Sequence, residues 1–141
     1  MAAGCHFCDE AGGREVVRTA AWRVVHATEP GLPAFYRLVW NAHVKEFSQL
    51  AAGERHACVD ALAAIEQAML RHFAPDKVNL ASLGNAVPHL HWHVVARFTW
   101  DSHFPAPVWA ASQRAAAADR VARVEAALPA FEEDLRRQFA P

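Results

Sequence analysis

The sequence has no dense block of lysine and arginine, and its formal net charge is −1 with histidine neutral. That argues against a broad electrostatic nucleic-acid footprint. A small phosphate-bearing ligand stays open, because a pocket needs local donors rather than global charge. No stretch approaches the ~18 consecutive apolar residues of a membrane span. The opening residues Met1-Ala2-Ala3-Gly4-Cys5 lack a basic region followed by an apolar run, so they do not read as a signal peptide. The expected compartment is therefore the cytoplasm. There are only three cysteines, and in a reducing compartment such residues are thiols or metal ligands rather than disulfides. No internal repeat or long linker is found.

What is present is a globular balance, with 53% apolar and 21% charged residues in 141. One domain is expected, long enough to bury a core without disulfide support. Val16-Val17 is a short strand candidate, and Trp22-Arg23-Val24-Val25-His26 a stronger one that ends before the turn residues Pro30-Gly31-Leu32-Pro33. Phe35-Tyr36-Arg37-Leu38-Val39-Trp40, rich in aromatic and branched residues, reads as a third strand. A helix is predicted between Gly53 and Pro75, where Cys58, Leu62, Ile65, Met69 and Phe73 form one apolar face. Cys58, Met69 and Phe73 on that stripe read as core.

Lys77 to Leu83 reads as a fourth strand and Gly84-Asn85 as its turn, leading to a fifth strand from about His89 to Thr99. Asp101 to Trp109, with Pro105 and Pro107, should be irregular. Ala110 to Leu128 reads as an alanine-rich helix that Pro129 restarts or kinks before Phe131 to Phe139. Its arginines (Arg114, Arg120, Arg123, Arg136 and Arg137) alternate with acids and read as a solvated face. The order strands, helix, strands, helix predicts an α+β fold with an antiparallel sheet of about five strands, one long helix and a C-terminal helix.

The fifth strand carries the chemistry. Successive strand side chains point to opposite faces. His89, His91, His93, Val95 and Arg97 share one face, with neighbouring imidazoles ~7 Å apart. Leu90, Trp92, Val94, Ala96 and Phe98 share the other, which should pack on a helix. A lone strand histidine is usually a satisfied structural residue, but three in strict alternation carry a joint desolvation burden. Two chemistries fit. The histidines can ligate a catalytic metal, which also wants an acid, and only Asp76 and Asp101 flank the strand. Alternatively, a neutral imidazole can attack phosphorus, form a phosphoramidate that water cleaves, and be assisted by flanking imidazole donors.

The run His89-Leu90-His91-Trp92-His93-Val94-Val95 resembles the signature of the histidine-triad (HIT) family. Asn79-Leu80-Ala81-Ser82-Leu83-Gly84-Asn85 is similar to the family's strand and glycine turn before the triad. Ala96-Arg97-Phe98 is similar to its exit, and Trp40-Asn41-Ala42-His43-Val44 to the segment before its long helix. The resemblance spans roughly residues 5 to 109 and most resembles short bacterial members. It implies a HIT-like fold, with residues 1–109 as the HIT domain and 110–141 as a helical extension packed on it. The implied activity is a nucleotide hydrolase or nucleotidyl transferase acting at the α-phosphate of a dinucleoside polyphosphate, a nucleoside phosphoramidate or an adenylated compound.

By this resemblance His91 is the nucleophile that becomes nucleotidylated, with His93 and Asn85 assisting. Asn79, His89 and His93 contact the nucleotide, while Ala86 stands where many relatives carry serine or threonine. Base-pocket positions are expected around Trp22 to Val25 and Phe35. His103-Phe104-Pro105 and Trp109 form either a tail near the site or an aromatic cover over the core. Cys5-His6-Phe7-Cys8 contains a Cys-x-x-Cys pair, weak alone because zinc needs two more ligands. Zinc-containing HIT branches imply Cys5, Cys8, His43 and His89 as a structural zinc set, with His6 as a substitute ligand. A homodimer with a small nucleotide substrate, and neither nucleic acid nor membrane as partner, completes the expectation. A binding or regulatory module with little catalysis, and a metal-dependent hydrolase using the triad as ligands, remain the alternatives.

Overall fold

A computed structural model describes residues 2–140. The elements in order are α1 (His6–Asp9), β1 (Arg14–Arg18), β2 (Trp22–His26), β3 (Phe35–Trp40), α2 (Ala52–Phe73), β4 (Lys77–Ala81), β5 (His91–Arg97) and α3 (Ala118–Gln138). The strands form one sheet in the order β1-β2-β3-β5-β4, antiparallel throughout. This is the α+β architecture that the order of elements predicted. No helix is long and apolar enough to cross a membrane among the described residues.

Period-two alternation gives the sheet two different faces. Tyr36, Leu38 and Trp40 of β3, with Val94 and Ala96 of β5, point toward α2. There they meet the helix stripe of Cys58, Leu62, Ile65, Met69 and Phe73, all buried as expected from their spacing. Phe35, Arg37 and Val39 of β3 and His91, His93 and Val95 of β5 occupy the opposite face. This face is only partly covered, by α1 and by the segment after β5.

Local chemistry sets the ends of α2. The Glu54 carboxylate accepts the Ala51 N–H at 2.8 Å, satisfying one orphan donor of the first turn. At the other end Ala74 adopts a left-handed φ of 44° and Pro75 follows.

Several boundaries differ from the sequence expectation, and β5 ends at Arg97, short of Thr99. β4 stops at Ala81 rather than Leu83, because the Ser82 hydroxyl takes over the His91 carbonyl at 2.8 Å. β5 starts at His91 rather than His89, since the His89 N–H turns back to the Val87 carbonyl at 2.8 Å and leaves the ladder. The C-terminal helix starts at Ala118, not Ala110. Upstream of it, the Gln113 and Arg114 N–H groups go to the Ser102 carbonyl, and the Arg114 side chain to the Asp101 and Phe104 carbonyls, so the alanine-rich stretch is tied down unwound. Arg114 therefore lies outside the solvated helical face assigned to it. Pro129 neither ends nor restarts the helix. Val124 on one side of it and Phe131 and Leu135 on the other are buried in the same core, and this packing holds both halves on the protein.

Candidate active site and metal centre

An open pocket of about 440 Å³ lies on the partly covered sheet face. Its floor is His91 and His93 from β5 beside Phe35 and Arg37 from β3, with Phe7 of α1 and Trp109 at its sides. The loop Gly84-Asn85-Ala86-Val87 forms one wall, entered through the left-handed Gly84 (φ 76°). In the β3–β5 register His91 stands opposite Val39 and His93 opposite Arg37.

His91 is oriented by its neighbour. Its Nδ1–H donates to the His89 carbonyl at 2.7 Å, which fixes the tautomer and leaves the Nε2 lone pair for the pocket. The Phe7 ring packs edge-on against it with centroids 4.7 Å apart. Burial pulls the His91 imidazolium below its ordinary pKa, although the hydrogen bond to His89 opposes this. His93 lies 5.1 Å away, centroid to centroid, and burial, then the charges of His91 and Arg37, lower its pKa to about 4. Both rings are neutral near pH 7, the state a nucleophilic imidazole needs.

His89, expected to contact the nucleotide, does not line this pocket. Its Nε2–H donates to the Trp40 carbonyl at 2.6 Å, and its Nδ1 faces a different cluster. Asn79 is also outside the pocket lining: its side-chain oxygen accepts Arg97 Nη1 at 2.8 Å. Asn85 is exposed on the pocket wall. Of the expected base-pocket positions only Phe35 lines the cavity. Trp22 lies on the α3 side against Phe139, and Val25 is buried beneath Phe7. Trp109 lines the pocket, whereas His103 points away, its Nδ1 hydrogen-bonded to the Ser102 hydroxyl at 2.8 Å.

The second cluster brings together Cys5, Cys8, His43 and His89, whose ligand atoms all lie within 4.8 Å of one another. Cys5 Sγ and Cys8 Sγ are each 3.5 Å from His89 Nδ1, Cys8 Sγ is 3.4 Å from His43 Nδ1, and the two Nδ1 atoms are 3.2 Å apart. Tetrahedral zinc with ordinary Zn–S and Zn–N bonds puts its ligands roughly 3.3–3.8 Å apart. With Nε2–H committed to Trp40, His89 Nδ1 must present a lone pair to two thiols and a second imidazole. Such a donor set suits a soft divalent cation, and the bond to Trp40 is the outer-shell anchor usual for a ligating histidine. His6 is not in the set, and its Nδ1 lies 3.7 Å from Glu10.

Sequence reasoning missed α1 and Arg37. Phe7 lies between the two cysteines and wedges α1 over the sheet, and Arg23 holds that helix through the Phe7 and Glu10 carbonyls at 2.7 and 3.2 Å. Arg37 had a readable signal, being the one charge inside an otherwise apolar strand.

A family model described as HIT domain matches residues 10–100. The chain belongs to the HIT family. Among solved structures, this HIT protein is similar to a histidine triad protein of Bradyrhizobium japonicum at 25% identity, covering 92% of each chain with a TM-score of 0.72. It is also similar to one of Marinobacter aquaeolei at 27% identity, covering 89% of this chain and 92% of that one with a TM-score of 0.70. A zinc-bound histidine triad family protein of Mycobacterium smegmatis shares the fold at 16% identity, covering 92% of this chain and 96% of that one with a TM-score of 0.60. None of the curated proteins matches the chain.

Proposed function

We propose that this HIT protein is a nucleotide hydrolase or nucleotidyl transferase in which His91 Nε2 attacks an α-phosphate. The observation that carries the reading is the bond from His91 Nδ1–H to the His89 carbonyl, which aims the remaining lone pair into an open pocket. In the first step the Nε2–P bond forms while the bond from phosphorus to the leaving oxygen or nitrogen breaks, and the leaving group departs with its electron pair. In the second, water attacks phosphorus and gives up a proton, the N–P bond breaks with its electron pair returning to Nε2, and His91 is regenerated, while the leaving group takes up one proton. An acceptor other than water makes the same chemistry a transfer. His93 is neutral beside it and offers one N–H to the phosphoryl oxygens, where charge accumulates. Asn85 on the loop wall adds an amide donor.

Zinc fits the second cluster and is proposed to be held by Cys5, Cys8, His43 and His89. Its contribution is structural: it ties α1 to the chain entering β5. Because the His89 carbonyl orients His91, this anchoring reaches the nucleophile without the cluster touching substrate. The homodimer is carried over from the family as part of the same proposal.

One observation favours a second reading, a nucleotide-binding module with little turnover: Ala86 offers no hydroxyl to the leaving group from the pocket wall. Nothing favours the triad as catalytic metal ligands. His89 faces the cysteine cluster instead of the pocket, and Asp101 is locked onto Arg97 at 2.9 Å.

The test is incubation with a panel of adenylyl and guanylyl conjugates, followed by mass spectrometry for a nucleotidyl adduct on His91. The His91→Ala protein is expected to stay folded, bind nucleotide and show neither adduct nor turnover. Full turnover in that variant would remove the covalent mechanism, and nucleotide binding by the native protein with neither adduct nor turnover would favour the binding module.

A further inference from the structure

Three arginines are largely withdrawn from solvent on the pocket side of the sheet, and two have their donors occupied. Arg23 donates to the carbonyls of Ala11, Phe7 and Glu10 and to Asn41. Arg97 grips Asp101 with two nitrogens and also donates to Asn79 and the Ala106 carbonyl. Arg37 is different. It makes one hydrogen bond, from Nη1 to the Gly12 carbonyl at 2.8 Å, and its Nε is buried with no partner among the described residues. No carboxylate pairs with it there, although burial depresses its pKa and only the charge of Glu29, on the pocket rim, opposes that.

A part-buried guanidinium whose Nε is shut away from water with no partner, and which has no counter-ion, is a costly arrangement unless an anion pairs with it. This one is also held in place. The Gly12 carbonyl fixes one side, and the Phe35 ring lies under it with its centroid 5.5 Å from the guanidinium carbon. Gly12 is itself locked, since a side chain there would run into the Phe7 ring at 2.5 Å. The cation thus sits on the floor of the triad pocket, across from His93, with most of its planar donor fork unused.

The geometry assigns Arg37 the role of a second anion-binding group: the substrate carries an oxyanion beyond the phosphoryl group that His91 attacks. The naming of the attacked group rests on the proposed function, whereas the anion site is a property of the pocket by itself. The fork suits either a further phosphate in a polyphosphate chain or a carboxylate on the conjugated partner.

Calorimetry with inorganic tripolyphosphate on the whole protein tests the anion site without any turnover. Replacing the fork in Arg37→Met should weaken binding about 10- to 100-fold. Arg37→Lys, which keeps charge but not geometry, should fall between. Equal affinity in all three proteins overturns the inference, and the lysine variant still decides it if the methionine variant fails to fold.

Kinetics separate the two sources. The kcat/KM of each variant is compared for diadenosine tetraphosphate, the adenosine phosphoramidate of glutamate, and that of tryptamine, which lacks a second anion. A fall relative to the tryptamine conjugate is expected for the tetraphosphate if the partner is phosphate and for the glutamate conjugate if it is carboxylate. An equal fall for all three overturns the inference while leaving His91 chemistry standing. Absent turnover and adduct with every substrate, alongside Arg37-dependent tripolyphosphate binding, sinks the proposed function and keeps the anion site.

Discussion

Arg23 supplies the hydrogen bonds that hold the N-terminal helix on the sheet. From β2 it reaches the carbonyls of Ala11 (2.9 Å), Phe7 (2.7 Å) and Glu10 (3.2 Å), and α1 has few other attachments beyond Phe7 and its cysteines. Arg23→Met would strand those acceptors. The expected cost is about 2–3 kcal/mol in urea unfolding. Zinc affinity, read by competition with a chromophoric chelator, should fall at least about tenfold as α1 loosens. Unchanged zinc affinity would mean that the cysteines are held independently of this clamp. A second residue works in the opposite direction. Ala74 adopts φ 44°, where a Cβ is strained. Ala74→Gly at this helix end should raise stability by about 0.5–1 kcal/mol, visible as a higher urea midpoint at constant slope.

At the scale of elements, α3 depends on the sheet-and-helix sandwich beneath it. Phe131 is fully buried, with ring centroids 5.0 Å from Tyr36 and 4.8 Å from Phe73. Arg71 and His72 of α2 clasp Asp134 at 3.0 and 2.8 Å across the same seam. Phe131→Ala should cost about 3–5 kcal/mol. Removing the exposed end of the clasp with Arg71→Ala should cost under about 1 kcal/mol. Equal losses would show that the seam is held by charge rather than packing.

How legible each element was follows from where its hydrogen bonds and contacts lie. The α2 stripe and the two faces of β5 were readable because periodicity is local and burial enforces it. The start of α3 was not, because the Ser102 carbonyl that captures Gln113 and Arg114 is distant in sequence. The same holds at the site. The run from His89 to His93 marked the candidate site, but only packing divides it, sending His89 toward the cysteines and His91 into the pocket. The need for an anion at Arg37 was equally invisible, since it arises from partners that are missing in space.

For the molecule as a whole, two buried carboxylates, one closing a local turn and one joining distant parts of the chain, give stability an acid limit. Asp101 is fully buried. It accepts from Arg97 and from the N–H groups of Phe98, His103 and Phe104, fixing the turn that carries the chain from β5 back over the pocket. Glu132 on α3 accepts both terminal nitrogens of Arg14 at 2.7 Å and the Tyr36 hydroxyl at 2.7 Å, joining helix and sheet. Burial alone would raise both pKa values, but the donors outweigh it and hold each carboxyl below its ordinary value. An acid depressed in the folded state contributes stability that is complete above its unfolded pKa, near 4. That contribution is lost as pH falls through the lower folded value. The urea midpoint should therefore be insensitive to these two groups from about pH 7 to 5 and drop below about pH 4. Asp101→Asn should lower stability at pH 7 by about 3 kcal/mol, because it leaves the buried Arg97 without its anion, and Glu132→Gln should lower it by less. Each should also flatten the acid limb. Arg14 is half exposed and Arg97 is not, so the Asp101 variant should be the more damaging. An acid limb of unchanged steepness in both variants would assign the acid sensitivity to other carboxylates.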